Sequence, residues 1–284
     1  MNNNYVIITD STADLPEEII NKFNIIIIPM QYIINNKVYL DSNIDIKSFY
    51  DNLRAGVLPS TTQTNIEKFK EVFSKYLENN QDIIYIGFPS SLSGTYNNSV
   101  LAARELSEKF PDRKIIVIDS LSASMGQGML VQEAAVMRSQ NKTITEVQTE
   151  LDNLKYKICH WLIVDDLFHL KRGGRISQSV AVLGSMLNFK PLLYVDNNGN
   201  LCVSDKIRGR QKAINSLLSK LENNILDNNI YICHGDCLED AEILREKIRE
   251  KFKIQNININ NIGPIVGTHT GAGTLALIFR GTSR

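Results

Sequence analysis

Hydroxyl-bearing side chains cluster in the segment Gly87-Phe-Pro-Ser-Ser-Leu-Ser-Gly-Thr-Tyr-Asn-Asn-Ser99, which lies between two apolar patterns. The run at 83–86 predicts a buried strand, and the later spacing of Val100, Ala103 and Leu106 predicts a helix. Backbone N–H groups and hydroxyls at a helix N-terminus bind anions, because that end carries a partial positive charge. The loop contains no lysine or arginine, so we expect neutral donors to hold the anion.

Three further loops share this composition, namely residues 10–14, 59–65 and 119–128. Ligands of open α/β sheets bind beyond the carboxyl ends of the strands, where such loops converge. Serine, threonine, asparagine and aspartate in a single loop are more typical of turns and helix caps. The four loops together favour a shared ligand site.

A fifth segment, Gly267-Thr-His-Thr-Gly-Ala-Gly-Thr274, places one histidine among three glycines. The glycines predict a loop whose backbone approaches a ligand closely. A lone histidine in a chain is more often structural, but His269 could donate a hydrogen bond to a carboxylate. We expect that hydrogen bond to come from the second half of the chain.

Two basic segments, Leu170-Lys-Arg-Gly-Gly-Arg-Ile-Ser177 and residues 206–212, predict a basic patch. We interpret Lys171 and Lys206 as solvated surface charges. Arginines on a glycine-rich turn can clamp a phosphate or a carboxylate. The patch therefore predicts an anion or a docked partner on this side of the molecule.

The sequence lacks the motifs of several common nucleotide-binding, catalytic and metal sites. The chain has no phosphate-binding P-loop and no Gly-x-Ser-x-Gly nucleophile motif, and Gly126-x-Gly128 lacks the third glycine of a dinucleotide site. The adjacent Asp165 and Asp166 are interpreted as a helix start. Cys233, His234 and Cys237 lack the spacing of a metal site, so we expect no metal and no cofactor.

Composition predicts an ordinary globular protein of 284 residues, 43% of them hydrophobic. Lysine plus arginine and aspartate plus glutamate both total 31, and this zero net charge argues against nucleic acid as a partner. No apolar run approaches the roughly 20 residues of a membrane span, and we see no signal peptide. We expect a cytoplasmic protein with free thiols, no transmembrane segment and at most a transient contact with a membrane surface.

The first half alternates predicted strands and helices, which indicates a parallel sheet covered on both faces. Within it, Asp14 is expected to cap a helix near Pro16, and Asn35-Asn36 predicts a hairpin turn. Later strands and a hairpin at 196–200 predict an α+β region with a mixed sheet. The sequence thus predicts a two-domain α/β fold, with domains at 1–157 and 158–284 and the ligand in the cleft between them.

Four segments resemble the signature segments of the DegV family: Ile8-Thr-Asp-Ser-Thr-Ala-Asp-Leu-Pro16, Ser91-Leu-Ser-Gly-Thr-Tyr96, Leu170-Lys-Arg-Gly-Gly-Arg-Ile-Ser177 and residues 267–273. The resemblance implies a bacterial fatty-acid-binding protein that is the acyl-carrying subunit of fatty acid kinase. A protein of this kind performs no chemistry alone. It presents the ligand carboxylate to a separate ATP-dependent kinase subunit, which forms the acyl phosphate in phospholipid metabolism.

The resemblance also implies roles for individual residues. The ligand carboxylate would be bound by Thr61, Thr62, Ser93, the Gly94 amide and His269. Arg172 would lie at the tunnel mouth, and Arg208 would dock the kinase. Thr64 and Ala272 stand where the family usually has prolines, and we expect both changes to loosen the backbone that aims the site.

Three functions remain open at this stage. A carrier needs a tunnel that is apolar except at one end, and the residues available for it are Ile27, Ile28, Met30, Leu121, Met125, Leu183 and Met186. The alternative is a small-molecule transferase or hydrolase that uses His269 with Ser93 or Thr61, in a pocket with polar groups mixed throughout its lining. A scaffold or regulator would bind no small molecule.

Overall fold

The computed structural model describes residues 4–43, 45–176 and 188–284. In chain order the strands are β1 (Tyr5–Asp10), β2 (Ile26–Ile28), β3 (Gln31–Ile34), β4 (Lys37–Leu40), β5 (Ser60–Thr62), β6 (Asp82–Gly87), β7 (Ile115–Asp119), β8 (Ile158–Ile163), β9 (Phe189–Val195), β10 (Leu201–Arg208), β11 (Ile225–His234), β12 (Ile257–Asn261) and β13 (Leu275–Gly281). The helices are α1 (Glu17–Phe23), α2 (Ile46–Arg54), α3 (Ile66–Leu77), α4 (Thr95–Lys109), α5 (Met125–Ser139), α6 (Ile144–Leu154), α7 (Phe168–Arg172), α8 (Arg210–Ser219), α9 (Leu238–Phe252) and α10 (Pro264–Thr270). None of the helices in these ranges is both long and apolar enough to cross a bilayer.

The first sheet is parallel and has the strand order β2-β1-β6-β7. Side chains alternate across it, so Ile83 and Tyr85 pack under α3 and α4, while Ile84 and Ile86 face α5 and α6. Burial on both faces explains why β1 and β6 are almost continuously apolar.

The second sheet has six strands in the order β10-β9-β8-β13-β11-β12. Its strands are antiparallel except for the parallel pair β11 and β12. Helices α8 and α9 cover one face, and α5 packs against the other, so α5 lies between the two large sheets. The predicted two-domain α/β fold, with a parallel first sheet and a mixed second sheet, is confirmed. The domain boundary at residue 157 stays a prediction.

A third, small antiparallel sheet has the order β4-β3-β5. Its hairpin turns at Asn35 and Asn36, with φ angles of 49° and 62°. Two consecutive positive φ angles characterise the type I′ turn that suits a two-residue hairpin, as the sequence predicted. This sheet carries Thr61 on β5.

Helix capping follows local sequence at α3 and α6. Asn65 accepts a hydrogen bond from Lys68 N at 2.8 Å, and Thr143 with Glu146 forms a complete capping box. The expected cap at Asp14 is wrong, because no side chain caps α1. Asp14 adopts φ 48°, and its carboxyl group accepts hydrogen bonds from Ser124 Oγ and, at 3.0 Å, from Gly263 N.

The fully buried carboxylate of Asp10 joins three segments at the carboxyl edge of the first sheet. Oδ1 accepts from the backbone and hydroxyl of Thr12 and from Gln127 Nε2 on α5. Oδ2 accepts from the Tyr85 hydroxyl at 2.7 Å and from Phe88 N at 3.1 Å. Five neutral donors therefore solvate this charge and fix the start of the loop that follows β6.

We predict that Asp10→Ala lowers the free energy of unfolding by about 3 kcal/mol or more, because several buried donors lose their acceptor together. Urea denaturation measures this change. The matched control is Asn65→Ala, which removes one helix cap and costs about 1 kcal/mol. A loss for Asp10→Ala no greater than that of the control would contradict the role assigned to this carboxylate.

Candidate functional site

A cavity that opens to solvent lies between the two halves of the chain. The first half contributes Met30, β5 and the loops after β6 and β7, and the second half contributes β8, β13, α7 and α10. Most of the lining is apolar: Met30, Phe88, Leu92, Ala123, Leu162, Leu170, Val195, Leu201, Ile262, Ile265, Val266, Ala276 and Ile278. Such a lining suits a hydrocarbon ligand.

Thr61 and His269 meet in the wall of this cavity. The distance from Thr61 Oγ1 to His269 Nε2 is 2.9 Å, although 208 positions separate the residues in the chain. Burial lowers the pKa of His269 to about 3, and the charges of Arg175 and Arg172 act in the same direction. The imidazole is therefore neutral at physiological pH.

The surroundings of His269 favour one tautomer. Its Nδ1 atom is buried without a hydrogen-bond partner among the described residues. A Cβ atom on Gly173 would lie 2.2 Å from Nδ1, so only glycine permits this approach. A hydrogen on Nε2 avoids burying an unpaired N–H group. In this tautomer His269 donates to Thr61 Oγ1, and the Thr61 hydroxyl hydrogen is free to bind a ligand.

Ser93 lines the same cavity from the turn that ends at the N-terminus of α4. Its Oγ lies 3.0 Å from Thr95 Oγ1, and its backbone N–H donates to Pro89 O. The Gly94 N–H has no acceptor among the described residues. A hydroxyl and a free amide at the start of a fifteen-residue helix form an anion-binding arrangement.

A cation also reaches this site, contrary to the expectation of neutral donors alone. Arg175 lines the cavity, and its Nε donates to Leu92 O, next to Ser93, at 3.0 Å. Its other described partner is Gly173 O, and no carboxylate of the described residues forms an ion pair with it. Loop composition gave no sign of this guanidinium, because it comes from the other half of the chain.

The remaining predicted site residues, Gly94, Thr62, Arg172 and Arg208, lie outside the lining, Gly94 directly after Ser93. Thr62 occupies the opposite face of β5 from Thr61, with Oγ1 3.4 Å from Gln31 Oε1. Arg172 donates to Pro59 O at 2.7 Å and to Thr268 O, so it joins α7 to the residue before β5 and to α10. Arg208 is exposed at the end of β10, with no ion pair to a described residue. The functional roles of these residues stay predictions.

Three of the four hydroxyl loops contribute to the lining, through Thr61, Ser93 and Ser124. The loop at 10–14 does not, because Ser11 accepts from Met30 N and the Thr12 hydroxyl bonds Asp10 and Gln127. Of the residues proposed for the tunnel, Met30 lines the cavity, whereas Ile27, Ile28, Leu121 and Met125 do not. Leu183 and Met186 lie outside the described residues.

His269 lies on a helix, and the predicted loop is wrong. Pro264 stands at the first position of α10, which favours helix formation. Gly267 serves close packing, because a Cβ atom there would lie 2.6 Å from the Tyr50 hydroxyl oxygen. The short helix α10 can therefore approach α2 closely while it presents His269 to the cavity.

A model of the family described as "Uncharacterised protein, DegV family" matches residues 4–281. A DegV domain-containing protein from Clostridium perfringens is 44% identical over 286 residues, which cover 99% of this chain and 98% of that protein. The chain belongs to the DegV family.

Solved structures of DegV proteins share the whole fold. A DegV lipid-binding protein from Thermotoga maritima is 29% identical, with a TM-score of 0.86 and coverage of 99% of both chains. A fatty-acid-binding DegV family protein from Thermus thermophilus is 28% identical, with a TM-score of 0.87 and coverage of 98% of this chain and 99% of that one.

Hydrogen bonds hold the two segments in which the chain departs from the DegV pattern, and the expected loosening of the site stays a prediction. Thr64 N donates to Thr95 Oγ1 at 3.2 Å, a bond that proline cannot form, and Asn98 Nδ2 donates to Thr64 O. Ala272 lies between two anchored glycines, because Gly271 N bonds Gly267 O and Gly273 N bonds Gly235 O. Hydrogen bonds therefore hold both segments.

Five polar lining residues were not among the predicted site residues, namely Ser124, His160, Arg175, Thr270 and Thr274, although all but His160 lie in segments that the sequence singled out. Arg175 belongs to a segment that the sequence did single out, three positions after Arg172. Ser124 donates its hydroxyl to Asp14, and His160 Nε2 lies 3.2 Å from Ala123 O. Burial lowers the pKa of His160 to about 3, so it is neutral. From sequence alone, a histidine in an apolar strand cannot be assigned to the lining of a cavity rather than to the hydrophobic core.

We predict that Asp14→Asn stabilises the DegV protein relative to wild type as pH rises. Burial raises the pKa of Asp14 from 3.8 to about 8. Its contribution to stability is therefore fully present below pH 3.8 and is lost as pH rises through 8. The difference in unfolding free energy should grow by up to about 1.4 kcal/mol per pH unit between those values.

Urea denaturation at a series of pH values measures that difference. The exposed Asp112, replaced by asparagine in the same way, controls for the loss of one surface carboxylate. A difference between Asp14→Asn and wild type that stays constant with pH would show that Asp14 is ionised in the folded protein.

Proposed function

We propose that this protein binds one long-chain fatty acid, with the acyl chain in the apolar cavity and the carboxylate at Thr61, Ser93 and the Gly94 amide. In this proposal it works in the cytoplasm as a carrier. It presents the carboxylate to a separate ATP-dependent kinase subunit, which forms the acyl phosphate.

The distribution of free polar groups in the cavity is the observation that carries the proposal. The hydroxyls of Thr270 and Thr274 are bonded to backbone carbonyls, and Ser124 is bonded to Asp14. The groups of the described lining that can still donate to a ligand come from Thr61, Arg175 and, when Thr95 Oγ1 donates to its hydroxyl, Ser93. His269 contacts Thr61, and Leu92, the acceptor of Arg175, precedes Ser93. An apolar cavity with one such cluster matches an amphiphile with a single anionic end.

Neutral donors and one cation have different effects on a bound carboxylate. Hydroxyls and an amide bind it while leaving its negative charge on the oxygens, as attack on ATP requires. The Arg175 guanidinium is fixed by backbone carbonyls. It therefore attracts the anion into the site without the geometry of a bidentate ion pair.

An enzyme that uses His269 as a base is the less favoured function. The distance of 2.9 Å to Thr61 Oγ1 would allow proton transfer. A base with a pKa of about 3 accepts a proton poorly at neutral pH. Gly173 also occupies the position beside Nδ1 where a triad would place its orienting carboxylate.

Thr61→Val and Ser93→Ala should each weaken palmitate binding by roughly 10- to 150-fold, because each removes a hydrogen bond to a charged group worth about 1.5–3 kcal/mol. Isothermal titration calorimetry gives the affinities, and binding of hexadecanol should change little. Thr62→Val is the matched control, because Thr62 lies on the other face of the same strand. If Thr62→Val loses more affinity than Thr61→Val, the carboxylate lies on the opposite side of β5.

Arg208→Ala should leave palmitate binding unchanged and reduce acyl phosphate formation by the kinase subunit, since its guanidinium is exposed away from the cavity. Radiolabelled phosphate transfer measures this coupling. Arg104→Ala removes a second exposed arginine, on α4, and should leave the transfer intact. Equal transfer rates for the Arg208 and Arg104 variants would remove the docking role.

Native mass spectrometry of the purified protein, followed by organic extraction, tests the proposal most directly. We expect one fatty acid per chain. A protein that is purified empty and stays empty after incubation with fatty acids would refute the carrier function and favour the enzyme.

A further inference from the structure

Thr95, the first residue of α4, contacts Ser93 through both its side chain and its backbone. The two hydroxyl oxygens are 3.0 Å apart, and the Thr95 N–H donates to Ser93 Oγ at 3.3 Å. Thr95 is completely buried, whereas Ser93 is partly exposed in the wall of the cavity. Because Thr95 does not itself line the cavity, it can affect a ligand only through its neighbours.

Burial decides which of the two hydroxyls donates. Thr95 Oγ1 accepts a hydrogen bond from Thr64 N at 3.2 Å, and Ser93 Oγ is the acceptor that its own hydrogen can reach among the described residues. If Ser93 donated instead, the Thr95 hydrogen would be buried without an acceptor, which is destabilising. The Ser93 hydrogen has no such cost, because water or a ligand in the cavity can accept it. Thr95 Oγ1 therefore donates to Ser93 Oγ.

This direction fills both acceptor positions of Ser93. A hydroxyl oxygen has one hydrogen and two lone pairs. The hydroxyl and the backbone N–H of Thr95 occupy the two lone pairs of Ser93 Oγ, so only its hydrogen remains for a ligand. Thr61 differs from Ser93, because among the described residues His269 Nε2 occupies only one lone pair of the Thr61 hydroxyl.

We propose that Thr95 is a positioning residue that makes Ser93 a hydrogen-bond donor only, so that the site selects an ionised carboxylate over a neutral amide head group. This inference rests on the proposed function. The Arg175 guanidinium and the Gly94 amide N–H can only donate, so of these four groups Thr61 alone can accept a hydrogen bond. A carboxylate accepts at both oxygens, whereas a primary amide has one acceptor oxygen and places its N–H hydrogens against the donors of the site.

Palmitate and palmitamide differ in the head group alone, so the ratio of their dissociation constants measures this selection. Competition with a fluorescent fatty acid gives both constants. Thr95→Val removes the hydroxyl, keeps the shape of the side chain and frees one lone pair of Ser93. Palmitamide should bind to it at least as tightly as to wild type. Palmitate should bind roughly 3- to 10-fold more weakly, the equivalent of one neutral hydrogen bond, because the Ser93 hydrogen is no longer held toward the ligand.

Three further variants separate this role from a structural one. Thr95→Ser retains the hydroxyl and should retain the wild-type ratio. Thr9→Val is the matched control, because the buried Thr9 Oγ1 also accepts one N–H bond, from Gln127, and donates to Ile86 O outside the cavity lining. It should leave the ratio unchanged even where it destabilises the chain. Adding Thr95→Val to Ser93→Ala should change the ratio no further, because Thr95 acts through Ser93.

An unchanged ratio in Thr95→Val would overturn the role of Thr95 and leave the carrier function intact. The same would follow if Thr95→Val shifted the ratio equally in the Ser93→Ala background. Wild type tests the selection should Thr95→Val fail to fold, because equal affinities for palmitate and palmitamide would overturn it. A chain that binds neither ligand would contradict the proposed function, and this inference with it.

Discussion

A buried anion, the Asp10 carboxylate, holds the carboxyl edge of the first sheet together. Removing a charge from water costs several kcal/mol unless the protein replaces the hydration, and here five neutral donors from three segments do so. One of these bonds fixes Phe88, at the start of the loop that carries Ser93. Another fixes Gln127, in the first turn of helix α5. The proposed site for an external anion thus depends on the solvation of an internal one.

The polar groups of the cavity come from both halves of the chain. Close approaches between backbone segments bring these groups together. Gly173 lets α7 lie against His269, and Gly267 lets α10 lie against Tyr50. Arg172 and Arg175 then bond carbonyl oxygens of the first half. Because these groups are positioned by the protein before any ligand binds, little ordering entropy is lost on association.

Elements defined by short-range chemistry could be predicted from sequence. The caps at Asn65 and Thr143 and the turn at Asn35-Asn36 depend on neighbours within a few positions. Asp14 could not be assigned, because its partners lie more than 100 positions away. The contact of Arg175 with the loop around Ser93 could not be predicted for the same reason, because 83 positions separate Arg175 from its partner Leu92. The glycines around His269 predicted a loop that approaches a ligand closely, whereas Gly267 permits tight packing of a helix against Tyr50.

The hydrogen bonds between the two halves of the chain differ in whether the acceptor is a backbone atom or a side-chain atom, and this difference affects how the sequence can diverge. Arg172 and Arg175 bond the backbone oxygens of Pro59 and Leu92, which any amino acid can provide, so those two positions can change without a matching substitution. Thr61 and His269 meet through side chains. A substitution at either position removes the partner of the other, so this pair must change together during divergence or persist unchanged.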